Sequence, residues 1–173
     1  GTTATRAAHI NGFGSSEPRY LTVFPDKNGE TKLYFRATTQ RPIDSRDEIK
    51  LWSYDGSEAR LVANVGELSA SPEPRHLTVF QDKLYFTAFG RNGSRLWSYD
   101  GATVTPAADI GPHRDNLTLT EFDNALYFAA SDGSSGTELW SYDGTTAKLA
   151  ADINPSGSST PFNLTVVGDA IYF

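Results

Sequence analysis

The chain has 173 residues and a formal net charge of −6, and 38% of its residues are hydrophobic. This acidic balance argues against a nucleic-acid partner and against binding to a membrane surface, since both need a basic surface. Because the chain contains no cysteine, disulfides, thiolate zinc sites and cysteine nucleophiles are excluded. The longest uninterrupted apolar run, residues 125–130, is far too short to span a membrane.

Four copies of one pattern follow each other along the chain. A Leu-Thr pair opens each copy, at 21–22, 77–78, 117–118 and 164–165. A Leu-Tyr-Phe or Ile-Tyr-Phe triplet follows at 33–35, 84–86, 126–128 and 171–173, and the hexapeptide LWSYDG stands at 51–56, 96–101 and 139–144. The pattern divides the chain into units 1–55, 56–100, 101–143 and an incomplete 144–173. Gly1 aligns with the glycine of LWSYDG, so we expect the chain to be a piece of a longer protein.

Each unit predicts four short strands, a to d, separated by turns. Strand a is like NLTVV, strand b like LYFAA, strand c like ELWSYD and strand d like TTAKLAADI. Alternation in strand c places Leu51 on one face and Trp52 and Tyr54 on the other. Repeated four-stranded antiparallel units of about 40–45 residues are typical of β-propellers. The sequence therefore predicts an all-β propeller, or a fragment of one, with three complete blades and a partial fourth.

The hexapeptide is interpreted as a structural part of each blade. Its Trp and Tyr are expected to fill the space between neighbouring blades, with the three tryptophans equally buried. Its Asp-Gly is expected to close the hairpin between strands c and d, because glycine supplies the positive φ that such a turn needs. These structural residues are Trp52, Tyr54, Asp55, Trp97, Tyr99, Asp100, Trp140, Tyr142 and Asp143. The alternative is a ligand site that is used three times.

The segment GTELWSYDGTTAKLAADINPSGSSTPFNLTVVGDAIYF, residues 136–173, resembles the ELWxxDGT-type repeats of large secreted or cell-surface proteins, mostly bacterial. The resemblance extends over essentially the whole chain and weakens in the first two units, where IKLW and SRLW replace ELW. It implies a propeller-like array that lies outside the cell or on its surface. It also implies that the array belongs to a larger polypeptide.

The strand count leaves the ring open. One strand d, three complete blades and strands a and b of another would close as a four-bladed ring whose fourth blade lacks strand c. Alternatively, other protein chains or further repeats complete a larger ring. Strands at both ends are expected to pair with each other or with another chain, because bare sheet edges promote association.

Arginines recur at the start of strand a. Arg19 and Arg75 lie two residues before the Leu of this strand, and Arg114 lies one residue further back. Strand a is the innermost strand of a propeller blade, so its start borders the central opening. Three guanidinium groups there suit a carboxylate or a sulfate, whose oxygens match the guanidinium fork. Sugar rings would stack on, or accept hydrogen bonds from, Tyr20, His76 and His113.

A less specific interpretation of these arginines is also open. They are then solvated loop residues that pair with nearby carboxylates, which are Glu17, Glu73 and Asp115. The three histidines do not come together in the repeat alignment, so no metal site is predicted and no cofactor is expected.

Catalytic motifs are missing from the sequence. It contains no G-x-S-x-G elbow, no H-E-x-x-H and no P-loop, so the chain is expected not to be an enzyme. The expected function is a non-catalytic adhesion or assembly scaffold outside the cell. The alternative is a glycan-binding lectin that uses the loops between strands b and c and between strands d and a. A propeller-type glycosidase would need a carboxylate pair and a deep pocket, and the sequence indicates neither.

Overall fold

The computed structural model describes residues 8, 10, 14–40, 47–62, 72–90, 93–111 and 118–173. These residues form antiparallel β-sheets, three of four strands and one of two strands. The prediction of an all-β propeller fold with three complete blades and a partial one is confirmed. Within the described residues, no helix has the length and apolar character needed to cross a membrane.

The blades follow one another along the chain, and within each blade the strands pair in chain order. Blade 1 consists of β1 (Arg19–Pro25), β2 (Thr31–Gln40), β3 (Asp47–Tyr54) and β4 (Ala59–Leu61). Blade 2 consists of β5 (Arg75–Phe80), β6 (Lys83–Gly90), β7 (Gly93–Tyr99) and β8 (Val104–Asp109). Blade 3 consists of β9 (Thr120–Phe122), β10 (Ala125–Ala130), β11 (Glu138–Tyr142) and β12 (Ala147–Ala151). The terminal hairpin consists of β13 (Thr165–Val167) and β14 (Ala170–Tyr172). Each complete blade thus takes its fourth strand from the next repeat unit, and the unit bounds stay a prediction.

Strand register shows which residues are equivalent between the blades. A threonine of the first strand lies opposite the tyrosine of the second strand in all four sheets, in the pairs Thr22–Tyr34, Thr78–Tyr85, Thr120–Tyr127 and Thr165–Tyr172. The alignment of blade 3 on Leu117-Thr118 is therefore wrong, and Leu119-Thr120 takes that place. A slip of two residues keeps every side chain on its face of the sheet, so alternation alone cannot detect it.

The Asp-Gly pairs close the hairpins between third and fourth strands, as predicted. The Oδ1 atom of Asp100 accepts hydrogen bonds from the backbone N–H groups of Ala102 and Thr103, at 2.9 and 2.7 Å. Gly101 follows with a φ of 92°, a conformation that glycine adopts without steric cost. Asp55 and Asp143 cap their turns in the same way.

Two apolar clusters join the three blades. In the first cluster, Trp97 and Tyr99 of blade 2 pack against Tyr34 of blade 1. In the second cluster, Leu96 of blade 2 packs with Tyr142 of blade 3. The Trp and Tyr of LWSYDG therefore face the preceding blade, while the Leu faces the following one, as alternation in the strand predicts.

The three tryptophans occupy equivalent positions but are not equally buried, so that expectation is wrong. Trp97 is fully buried, and its Nε1–H donates to the carbonyl of Ala88 at 3.3 Å. Trp52 and Trp140 are half-buried, and their Nε1 atoms have no hydrogen-bond partner among the described residues. Trp97 faces blade 1, whereas Trp52 has no described blade on the corresponding side. Trp140 faces blade 2 and packs against the second cluster, yet it stays half-buried.

Candidate functional site

The first strands of blades 1 and 2 start with the same irregular backbone. Their pairing shifts register between Arg19 and Thr22 and between Arg75 and Thr78. The residue inside each bulge has a left-handed backbone, with a φ of 56°. In blade 1 this residue is Tyr20, and in blade 2 it is His76. The bulges therefore direct these two side chains away from the positions that regular strands would give them.

Tyrosine is unusual at such a backbone position, whereas histidine is one of the residues enriched there. The terminal hairpin has Asn163 there, with a φ of 55°, and asparagine is one of the few side chains that adopt this conformation readily. Tyr20 thus occupies a strained position that a better-suited residue fills elsewhere in the same chain. Backbone strain of this kind tends to occur at functional sites, which makes the two bulges candidates for one.

Four side chains meet where the two bulges lie side by side. The rings of Tyr20 and His76 are 5.2 Å apart between centroids and tilted by 58°. The guanidinium carbon of Arg36 lies 5.7 Å from the centroid of the Tyr20 ring, within the range of a weak cation–π contact. Arg75 is next to His76 in the chain. The pKa of Arg36 and that of His76 are lowered first by burial and then by the charge of Arg75. We call Tyr20, Arg36, Arg75 and His76 the arginine–aromatic cluster.

Arg36 has a buried donor without a partner. Its Nε atom is shielded from solvent and has no hydrogen-bond acceptor in the described part of the chain. Burial lowers the pKa of Arg36, and the positive charge of Arg75 lowers it further. Arg75 itself forms an ion pair with Glu73 at 2.8 Å. An unpaired buried donor beside a second cation is unfavourable, and an anion at this point would relieve both effects.

His76 is neutral at pH 7. Burial lowers its pKa to about 4, with further contributions from the charges of Arg75 and Arg36. Its Nδ1 atom lies 3.2 Å from the Oγ1 atom of Thr87. The imidazole can therefore stack on an apolar face or form a hydrogen bond, but it adds no positive charge to the cluster.

The structure brings four of the predicted site residues together and leaves two undescribed. Arg19, Tyr20, Arg75 and His76 all lie at the start of β1 and β5. Arg19 is exposed and lies 3.8 Å from Glu17, while Arg75 contacts Glu73 as stated above, so carboxylates accompany both arginines as the second interpretation expects. The binding role of these residues stays a prediction.

His113, Arg114 and Asp115 lie outside the described residues. The corrected register nevertheless changes the position of Arg114 in the repeat. Arg114 precedes Thr120 by six residues, whereas Arg19 and Arg75 precede Thr22 and Thr78 by three. Counted back from Thr120 in the sequence, Leu117 rather than Arg114 aligns with Arg19 and Arg75.

Arg36 was not predicted as a site residue. It lies in β2, a strand to which the repeat pattern assigns a structural role, and it pairs across the sheet with Arg19. The corresponding residue in blade 2 is Thr87, which pairs with Arg75. The sequence does contain a signal, because Arg36 is charged where the equivalent residue of another repeat is small. A repeat-by-repeat comparison of strand b could have found it.

Glu138, the first residue of the ELW motif, was also missed, and its role is structural. It is fully buried. Its carboxylate accepts hydrogen bonds from the backbone N–H groups of Ile153, Asn154 and Ser159 and from the Ser159 hydroxyl. Burial would raise the pKa of Glu138, but these hydrogen bonds outweigh it and hold the pKa below its ordinary value. The glutamate thus fixes the loop that leads to the terminal hairpin.

The described part of the chain contains no group of three or more His, Asp or Glu side chains that could hold a metal ion. The arginine–aromatic cluster is instead suited to an anion. Its chemistry consists of guanidinium donors, a phenol ring and a neutral imidazole, which together can bind a charged oxygen group and an adjacent ring.

No protein-family model matches the chain, and no curated protein matches it. Among solved structures, the β-propeller domain of the Trilobed protease from Pyrococcus furiosus aligns over 78% of this chain and 38% of that one, with 20% identity and a TM-score of 0.49. The acylaminoacyl peptidase from Pyrococcus horikoshii aligns over 78% of this chain and 20% of that one, with 21% identity and a TM-score of 0.46. At this identity the likeness is one of fold alone. The resemblance to ELWxxDGT-type repeats stays a prediction.

These matches correct one expectation from the sequence. The expectation that the chain is not an enzyme, based on missing catalytic motifs, is wrong, because similar structures are found in a protease and in a peptidase. The chain spans less than two fifths of the first of these solved chains and one fifth of the second. The absence of catalytic motifs from a set of propeller blades therefore does not exclude that the blades belong to an enzyme.

Proposed function

We propose that this chain is a ligand-binding propeller module that holds an anionic group of a glycan at the arginine–aromatic cluster. The buried Nε donor of Arg36, without an acceptor in the described residues, carries the proposal. A carboxylate or sulfate oxygen would accept this hydrogen bond. Hydrogen bonds to charged groups contribute about 1.5–3 kcal/mol, so one such contact is a large part of a typical glycan affinity.

The local charge supports an anionic ligand. Arg19, Arg36 and Arg75 bring three positive charges to the two bulges, whereas Glu17 and Glu73 bring two negative ones. His76 adds none at pH 7, since its pKa is about 4. Among the described residues, the surroundings of the cluster are therefore positive by about one charge in a protein whose net charge is −6.

The two rings support a sugar as the carrier of the anion. Tyr20 and His76 are both half-buried, so part of each side chain remains accessible to a ligand beside Arg36. Aromatic rings of this kind bury apolar area at a low cost in side-chain entropy. A location outside the cell, implied by the ELWxxDGT resemblance, belongs to the same proposal.

An adhesion or assembly role, predicted from the repeat architecture, stays a second proposal.

Isothermal titration calorimetry tests the binding proposal. The probes are a uronic-acid oligosaccharide, a sulfated oligosaccharide of similar length and a neutral one. The parent protein should bind at least one anionic probe and not the neutral one. Arg36→Gln should weaken that binding about tenfold or more, as expected for a lost charge-assisted hydrogen bond.

Arg60→Gln is the matched control. Arg60 is an exposed residue of β4 that pairs with Glu58 at 2.8 Å, and its replacement removes the same charge from the same blade. It should leave the affinity unchanged. Equal losses in both variants would mean that only net charge matters, and no loss in Arg36→Gln would end the proposal.

A further inference from the structure

The imidazole of His76 lies among cations rather than beside a free carboxylate. Among the described residues, the charges that act on it belong to Arg75, its neighbour in β5, and to Arg36 of β2. From β1, Tyr20 contacts the ring with its phenol. The carboxylate of Glu73 is engaged by Arg75, in an ion pair of 2.8 Å. A protonated His76 would therefore be a third cation in this part of the described structure, with no anion of its own.

The hydrogen bonds of His76 suit only one of the two N–H groups that a protonated imidazole has. The Nδ1 atom lies 3.2 Å from the Oγ1 atom of Thr87 in β6. That hydroxyl lies 3.5 Å from the carbonyl of Arg75, so it can direct its hydrogen there and accept one from Nδ1. The Nε2 atom has no acceptor among the described residues. Protonation of His76 in the free protein thus leaves one donor without a protein partner in that part of the chain.

An anion at Arg36 would supply what the protonated ring lacks. The guanidinium carbon of Arg36 lies 5.7 Å from the centroid of the Tyr20 ring, and the centroid of the His76 ring lies 5.2 Å from the same point. An anion that accepts the buried Nε–H of Arg36 is therefore near His76. It offsets the arginine charges that disfavour a proton on the imidazole, and it offers an acceptor for Nε2. Both effects favour the protonated form of the ring.

We infer that the arginine–aromatic cluster takes up a proton when it binds an anion, and that His76 is the residue that accepts this proton. The inference rests on the proposed function and adds a pH dependence to it. In the free protein the pKa of His76 is about 4, lowered by burial first and then by the two arginines, and the bound anion raises it. Over the range between these two values the complex holds more protons than the free protein does, so the affinity increases as the pH falls.

The expected effect is a gain in affinity of about tenfold between pH 7 and pH 5. With a pKa of about 4, about one tenth of the free protein carries the proton at pH 5. An opposite charge a few ångströms away in partly buried surroundings is strong enough to protonate most of the bound ring at that pH. Ordinary aspartates and glutamates titrate at about pH 4, so they remain largely ionised at pH 5 and contribute little.

Isothermal titration calorimetry with a sulfated oligosaccharide tests this inference. A sulfate ester keeps its charge over this range, whereas a uronic acid begins to take up a proton itself at about pH 4. The parent protein should bind the probe about tenfold more tightly at pH 5 than at pH 7. Titrations at pH 5 in two buffers of different ionisation enthalpy should show the uptake of about one proton for each bound probe. Circular dichroism at both pH values verifies that the protein is folded.

His76→Asn is the variant that removes the proton acceptor, and the terminal hairpin has an asparagine with nearly the same φ at Asn163. Whatever its affinity at pH 7, this variant should lose most of the pH dependence. Arg60→Gln, which changes an exposed charge of blade 1 and retains His76, should show the full pH dependence of the parent. A pH-independent affinity of the parent would overturn the inference, as would a pH dependence of parental size in His76→Asn.

Nuclear magnetic resonance gives a second readout, which separates this inference from the proposed function. The Cε1–H signal of His76, identified by its absence from the spectrum of His76→Asn, reports the titration of the ring directly. Its midpoint should move to higher pH when the sulfated probe is bound. Binding that depends on Arg36 but leaves this midpoint unchanged would overturn the inference and leave the proposed function standing. If no anionic probe binds at either pH, the proposed function fails and the inference fails with it.

Discussion

Acidification should destabilise this fold through His76. The imidazole is neutral in the folded protein because burial first, and then Arg75 and Arg36, lower its pKa to about 4. In the unfolded chain a histidine titrates near 6.5. The unfolded state therefore binds more protons than the folded state between these two values. With respect to His76, the free energy of unfolding is therefore highest above about pH 6.5, and it decreases as the pH falls toward 4.

The size of this effect follows from the two pKa values. A fall from 6.5 to about 4, at 1.36 kcal/mol for each pKa unit, corresponds to ~3 kcal/mol. His76 is only half-buried, and solvent screening of its exposed part lowers the expected effect to about 2 kcal/mol. The free energy of unfolding should thus be about 2 kcal/mol lower at pH 4.5 than at pH 7. Such a loss is a substantial part of the stability of a typical domain.

Urea denaturation at both pH values, followed by tryptophan fluorescence, measures this difference. The comparison variant is His76→Asn, which cannot titrate and which places in blade 2 the residue that has the same backbone φ at Asn163. His9 and His113 are kept in both proteins, so their titration is common to both curves. The variant should lose most of the pH dependence between 7 and 4.5. A variant whose stability falls as steeply as that of the parent would refute the assignment to His76.

Two further changes test how the blades are held. Gly101→Ala should destabilise the chain more than Gly56→Ala in thermal melts. Both glycines have a positive φ, but their surroundings differ. A Cβ added at Gly101 would lie 2.6 Å from the backbone nitrogen of Lys27, whereas a Cβ added at Gly56 would meet nothing within 4 Å. Equal melting temperatures would refute the blade contact at Gly101. Glu138→Gln should accelerate amide exchange at Ser159, because it weakens the charge-assisted hydrogen bonds that fix this loop; an unchanged rate would show that the loop is held by other contacts.

The blade architecture could be predicted because its signals are local and repeated. Alternation in LWSYDG assigns Trp97 and Leu96 to different interfaces, and the structure places them there. Alternation of polar and apolar residues nevertheless cannot detect a register shift of two residues. In the sequence NLTLT, residues 116–120, two Leu-Thr pairs fit the same pattern, and only the pairing of Thr120 with Tyr127 decides between them. Burial likewise depends on neighbours, so Trp52 and Trp97 differ although their motifs are identical.

The candidate site could be predicted only in part, because it depends on backbone irregularities. The spacing of Arg19 and Arg75 pointed to the correct strand starts. Sequence alone could not show that a bulge turns Tyr20 toward His76, since no residue there signals a left-handed backbone. It also could not show that Arg36, a residue within strand b of the repeat, lies against the Tyr20 ring.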